Sequence, residues 1–506
     1  MAKPLQSASI AAPGFFGLNT QESSITLAAG FALQADNCVI DKYGRLGARK
    51  GWQLLTDGHT GVNLLGAHEF IDINGTRYFG AWSDTGFYIV DGSTLTSVTY
   101  NGDNTINGAN WQAATLNDAA FLFDRNYKPI YFQPTTGTLE DLEDAGHGVP
   151  PSANTVLSAY GRLWAADTET NKTTVYWSDL LDGTNWNSGT SGSIDLSSVL
   201  VKGNDEIVAL GAHAGRLIIF CKNNVVIYGS GSSTLDPSTM ELVEVINGVG
   251  CISRGSVQNT GVDILFLAKD GLRSLGRLIQ EKSQPMRDLS KNIRDELVRA
   301  VLNSDPTEVK SVYSASEAFY LLLIPEYQRV YCFDTRSMLQ DGSARVTVWD
   351  NQVQSNMIEA NNTLYFTGID GMSRYYGYTD NGNTYRIKYY TNYFDFGDST
   401  KQKFLKRLST TLIGGSGQDI VLKVGYDYDD SYRSFPIEIA TQANAEYGVA
   451  EYNTTAEYTV GTLSDTVRAP VGGSGGVLQV GFEATINGSQ LSIQKLDIYT
   501  KEGRVY

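Results

Sequence analysis

The stretch RLIIFCKNNVVIYG, Arg216 to Gly229, decides the fold. Two apolar runs flank the turn cluster Lys222-Asn223-Asn224, which is the sequence form of a β-hairpin. Val225 to Tyr228, a short apolar run bounded by turn residues, reads as a largely buried strand. The same strand-turn-strand pattern recurs in both directions. Before it stand RYFGAWSDTGFYIV from Arg77, AFLFDRNYKPIYF from Ala120 and RLWAADTETNKTTVYW from Arg162. After it come ILFLAKDGLRSLG from Ile264, AFYLLLIPEYQRVYCF from Ala318 and TLYFTGIDGMSRYYGY from Thr363. Successive starts are 43, 42, 54, 48, 54 and 45 residues apart. A hairpin repeat of that length is the signature of a β-propeller. The expected fold is therefore all-β, with a propeller of six or seven blades. The blade number stays open because the N-terminal strands either complete the last blade or stand apart.

A chain of 506 residues exceeds one ordinary core, so more than one domain is expected. Residues 1–60 read as an N-terminal arm, APGFFGLN (Ala12 to Asn19), and a strand pair, LQADNCVIDKYGRLGARKGW (Leu33 to Trp52), turning at Lys42-Tyr43-Gly44. Residues 61–388 hold the propeller. From residue 389 the strands lengthen (KYYTNYFDFG, FLKRLSTTLI, DIVLKVGYDYD, VLQVGFEATI, LSIQKLDIYT), which predicts a separate C-terminal β-sandwich over 389–506. One amphipathic helix interrupts the strands: Ser290 stands as its cap, and Ile293, Leu297, Ala300 and Val301 share a face. That face either packs on its own domain or meets a neighbour.

The longest apolar run, Ala318 to Ile324, is far short of the roughly 20 residues that cross a bilayer. The start MAKPLQSASI has no apolar signal-peptide core, so synthesis and folding in a cytoplasm are expected. The net charge of −16 argues against a sequence-reading nucleic-acid binder, yet suits a surface that nucleic acid passes without sticking. Cys38, Cys221, Cys251 and Cys332 are scattered, with no zinc-type spacing, and Cys221 and Cys332, in apolar strands beside Phe220 and Phe333, read as buried free thiols. The four histidines, His59, His68, His147 and His213, form no metal or catalytic motif. The acidic stretch around Asp427, Asp429 and Asp430 lacks the Gly and Glu of an EF-hand and reads as a solvated loop. SDLLDGTNW (Ser178 to Trp186) has the wrong Asp-to-Gly spacing for a sialidase Asp-box, so Trp186 reads as a blade-closing aromatic. No catalytic, cofactor or metal residue is assigned, and the chain is expected to be no enzyme. Two basic clusters, one with Arg45 and Arg49 and one with Lys403 and Arg407, suit an acidic partner, phosphate, or solvated strand edges.

Several of these stretches together resemble the tail nozzle proteins of short-tailed bacteriophages, the tail tubular protein B and packaged-DNA stabilisation hub group. FFGLN followed by ADNCVIDKYGRLGARKGW matches that family's order through Gly17, Asn19, Asn37, Gly44, Arg45, Arg49 and Gly51. Lys50 departs from it, standing where the family often has proline. GRLWAADTETNKTTVYWSD with LLDGTNW, GRLIIFCKNNVVIYGSG, the helix DLSKNIRDELVRA and the tail KFLKRLSTTLIGG fit the same plan. The resemblance implies a structural virion protein, assembled in the host bacterial cytoplasm. Six copies would form a ring below the tail adaptor and portal and extend the channel that retains and ejects double-stranded DNA. A tail fibre or plug protein is a further implied partner. Interface candidates are Arg45, Arg49, Ile293 and Leu297, joined by Lys403 and Arg407. The alternatives are a ligand- or glycan-binding virion propeller, which suits the 11% aromatic content, and a sialidase-like hydrolase.

Overall fold

The computed structural model of the chain describes residues 5–56, 61–108, 110–145, 149–200, 205–230, 235–280, 288–439 and 464–505. All seven hairpins form as antiparallel pairs. In the deciding stretch, Arg216–Cys221 pairs with Asn224–Gly229 in the register Arg216↔Gly229 to Phe220↔Val225, and Val225 to Tyr228 are buried. The turns follow from their residues. Gly371 takes φ +102 at the turn of the last hairpin, where a Cβ would stand 2.2 Å from Thr56 Oγ1, so only glycine fits.

The hairpins do not become equivalent blades, which corrects the propeller expectation. The described strands form seven sheets of 7, 8, 4, 4, 10, 3 and 4 strands. The first two hairpins share one eight-stranded sheet, because Thr94–Tyr100 joins Thr138–Asp141 in parallel through Thr99↔Thr138 and Tyr100↔Leu139. The hairpins from Arg162 and Arg216 each sit in a four-stranded sheet, and the one from Ile264 in a three-stranded sheet. The last hairpin gains Trp52–Leu54 as its fourth strand, through Tyr375↔Trp52. A hairpin signal is local, whereas sheet membership depends on which strand edges meet.

The C-terminal strands do not make a detached sandwich either. The ten-stranded sheet runs from Lys310–Ser314 through the hairpin at Phe319 and Arg345–Trp349 to the N-terminal strands Gly17–Leu18 and Phe31–Asp36. It continues into Tyr385–Thr391, Leu478–Ile486, Asp419–Tyr426 and Arg433–Ile437. In the seven-stranded sheet, Leu5–Ala11 lies along Leu491–Val505 from Leu5↔Lys501 to Ala11↔Lys495. The arm and the tail therefore share two sheets. Gly17 makes this approach possible: at φ +83 it lies so close to Val346 that a Cβ would meet the Val346 carbonyl oxygen at 2.4 Å.

The predicted helix spans Arg294–Leu302, entered by a 3-10 turn at Lys291–Ile293. Ser290 makes no cap bond; its hydroxyl instead accepts from Leu272 N at 2.9 Å. Ile293, Leu297, Ala300 and Val301 are buried in the core shared with Leu272, Tyr331 and Leu322. A second, unforeseen helix, Leu275–Gln280, follows the hairpin at Ile264, with the Ser274 hydroxyl accepting from Arg277 N. Among the described residues no helix is long and apolar enough to cross a membrane.

Candidate functional site

Two of the residues that carry the resemblance, Asn37 and Arg49, meet in one buried lock. Asn37, at φ 55, donates through Nδ2 to the Arg386 carbonyl and to Asp350, and its Oδ1 accepts from Arg49 Nε at 3.0 Å. The Arg49 guanidinium forms a two-pronged pair with Asp380 at 2.8 and 2.7 Å and lies 4.2 Å from the Tyr385 ring centre. Burial works against its charge, but Asp380 more than offsets this and holds the pKa above the ordinary value. Asn19 caps its own turn by accepting from Gln21 N and Glu22 N. At Gly51 a Cβ would stand 1.9 Å from the Thr379 carbonyl oxygen. These contacts tie residues 17–51 to residues 346–386.

Among the interface candidates, Arg49, Ile293, Leu297 and Lys403 are buried within the chain. Lys403 donates to the carbonyls of Asp398 and Gly476, and burial lowers its pKa. Arg45 is also buried, stacked over the Tyr43 ring at 4.3 Å. Arg407 is partly buried over Tyr499 at 5.2 Å. The long side chains of Arg45 and Arg407 cover aromatic rings of their own chain.

The other sequence candidates are also placed. All four cysteines are free and buried. Trp186 packs on Phe123 and donates to the Gly183 carbonyl at 2.8 Å. Asp427 accepts from Gly476 N and Val477 N, and Asp429 from Ser431 N. Among the described residues no group of three His, Cys, Asp or Glu could hold a metal. His59 and His147 lie outside the described residues. His68 contacts Thr115 Oγ1 through Nε2 at 2.8 Å, and burial lowers its pKa to about 4.

A cleft of about 410 Å³ is lined by Trp82, Asn110, Trp111, Lys310 and Gln354 among others. It opens where the eight-stranded, ten-stranded and last four-stranded sheets meet, and each wall comes from a different part of the chain. Trp82 sits in the strand Arg77–Ser83 opposite Gly66, whose missing Cβ makes room for the indole: a Cβ there would stand 2.4 Å from the ring. Asn110 and Trp111 precede the strand Gln112–Leu116; Lys310 opens Lys310–Ser314; Gln354 opens Gln354–Ala360. The Lys310 ammonium donates to Asn110 Oδ1 at 2.8 Å and to the Thr307 carbonyl at 3.0 Å. Burial and the neighbouring Arg254 push its pKa down to about 7. Arg254 donates through Nη2 to the Asn110 carbonyl, while its Nη1 is buried without a partner, and burial lowers its pKa to about 10. Trp111 Nε1 and Gln354 Oε1 are likewise buried and unpartnered.

None of these cleft residues stands in a motif of the sequence. The signal that could have found them is NQVQSN, Asn351 to Asn356, which places four carboxamides in six residues beside a strand start.

No protein-family profile matches the chain, and no curated protein is significantly similar to it. Among the solved structures that match, two are similar over part of their length. The first is the extracellular domain of BT4673, described as a one component system of B. thetaiotaomicron: 13% identity, TM-score 0.41, covering 66% of this chain and 40% of that one. The second is PorZ, a surface component of the type-IX secretion system of Porphyromonas gingivalis: 12% identity, TM-score 0.33, covering 63% of this chain and 37% of that one. The chain thus spans well under two thirds of either protein.

Proposed function

We propose that this chain is a structural subunit of a short-tailed phage's tail nozzle, a ring that retains the genome and lets it out. The observation that carries the reading is the lock around Arg49. Gly17, Asn19, Asn37, Arg49 and Gly51, which carry the resemblance, are each held by a buried contact or a close backbone approach. They anchor the N-terminal arm to strands more than 300 residues away, as a load-transmitting subunit requires. The charge of −16 supports passage of DNA: like charge weakens phosphate affinity and leaves the duplex free to slide. In this reading six copies assemble below an adaptor ring in the virion tail, with a fibre or plug at the far end.

Single-particle electron microscopy of the purified protein, alone and with a tail adaptor ring, tests it. A six-fold ring with an open channel is expected. Particles that remain monomeric in both conditions would overturn it.

A further inference from the structure

The outer face of the seven-stranded sheet is basic, although the chain as a whole is acidic. Residues paired directly across antiparallel strands share one side of a sheet. The pairings Leu5↔Lys501↔Phe404, Ser7↔Tyr499↔Arg407 and Ser9↔Asp497↔Ser409↔Arg468 therefore put Arg407, Arg468 and Lys501 on the same side. The other side sends Ile10, Leu408, Leu496 and Ile498 into the core. Lys406 is the extra residue where the register shifts, and it stands exposed over the Phe404 ring. Asp497, the one carboxylate in these rows, is paired with Lys495. Lys406, Arg407, Arg468 and Lys501 make no ion pair among the described residues. Leu5 and Phe404, 58% and 38% exposed, add apolar area beside these cations.

The acid excess lies elsewhere. Residues 61–253 hold 21 Asp and Glu against 8 Lys and Arg, a net −13 of the chain's −16. Within them, Glu241–Asn247 is the outermost strand of its four-stranded sheet, with one edge unpaired among the described residues. It exposes Leu242 and Val243 beside Glu241, and the exposed Asp236 precedes it. An open edge strand with exposed apolar side chains invites pairing with another surface. DNA suits the basic face less well: a chain of −16 repels a polyanion, and a sheet face offers no helix or ribbon to a groove. We propose that the basic sheet face is an assembly surface whose occupant is a second copy of this chain, engaged through its acidic edge strand Glu241–Asn247. Opposite charges meet, and Leu5 and Phe404 meet Leu242 and Val243. The two patches differ, so the contact runs head to tail and leaves each copy one patch for the next, the arrangement that closes a ring. The inference rests on the ring reading and assigns its contact surfaces.

The test is a charge swap read by sedimentation velocity and electron microscopy of the full chain, alone and with a tail adaptor ring. One variant reverses the face (Lys406→Glu, Arg468→Glu, Lys501→Glu), and the other reverses the edge (Glu241→Lys, Val243→Lys). Each alone should stay folded and assemble at least about tenfold more weakly than wild type. An equimolar mixture should assemble again, because each reversed face then meets a reversed edge. Carbodiimide cross-linking of mixed ¹⁴N and ¹⁵N wild-type copies needs no variant, and should join Lys406 or Lys501 of one copy to Asp236 or Glu241 of another. A wild-type ring without those cross-links, or folded variants that assemble like wild type, overturns the proposal and leaves the ring reading standing. Wild type that stays monomeric in both conditions overturns the ring reading, and this inference with it. Duplex DNA bound by wild type and released by the face variant, with assembly unchanged, also overturns it and makes the face a nucleic-acid surface.

Discussion

At the scale of single residues, the strongest commitments are buried charges and their partners. The Arg49 guanidinium is 2% exposed and depends on Asp380 for its counter-charge. Removing one partner of such a pair leaves an uncompensated charge, so Asp380→Asn should cost about 3 kcal/mol or more, read as a lowered urea midpoint. Arg49→Lys should also destabilise, because an ammonium cannot reproduce the paired contact to Asp380 together with the bond to Asn37. A variant as stable as wild type in either case would refute the lock. His68 supplies a pH dependence. Its folded pKa, about 4, lies below its ordinary 6.5, so protonation favours the unfolded chain. Its contribution is complete above about pH 6.5 and fades as the pH falls toward 4. His68→Gln, which keeps a hydrogen-bonding group beside Thr115, should therefore show a shallower loss of Tm between pH 7 and pH 5. Parallel profiles for the two proteins would remove His68 from the account.

Among the elements, the helix Arg294–Leu302 separates inside from outside most clearly. Its Leu297 is fully buried beside Leu272 and Tyr331, whereas Leu302 is 69% exposed. Leu297→Ala should cost about 2–5 kcal/mol through lost burial and the cavity left behind. Leu302→Ala should stay within about 0.5 kcal/mol of wild type. Thermal denaturation of the two variants checks both, and similar losses would mean that the helix is misplaced. The helix face was readable from the spacing of Ile293, Leu297, Ala300 and Val301. What it faces was not. The same spacing serves a partner protein or the chain's own core, and only the position of the hairpin at Ile264 beneath it decides.

For the whole molecule, the ten-stranded sheet joins the arm, the middle and the tail. Phe31–Asp36 hydrogen-bonds to Tyr385–Thr391 in antiparallel register, from Ala32↔Thr391 to Asp36↔Lys388. Amide hydrogen exchange in these two strands should therefore proceed together, as one cooperative unit. Markedly faster exchange of Phe31–Asp36 would show the arm to be a separate layer. Leu5–Ala11 protects one edge of Leu491–Val505. Deleting residues 1–11 should leave a folded chain with an open strand edge, and greater light scattering at a given concentration.

By itself the sequence determined the seven hairpins, the long tail strands, the one amphipathic face and the burial of Cys221 and Cys332. Each of these follows from apolar periodicity and turn residues within about twenty positions, and local chemistry is enough to specify it. Tertiary structure alone decided how the hairpins assemble. Every strand edge presents the same backbone N–H and C=O groups, so nothing in the residues themselves says that Thr99 meets Thr138 or that Gly17 meets Val346. The repeat spacing therefore pointed to equal blades that the edge pairings do not form. The cleft was hidden for the same reason: Asn110, Lys310 and Gln354 are ordinary in their own segments, and they become a site only where three sheets bring their strand ends together.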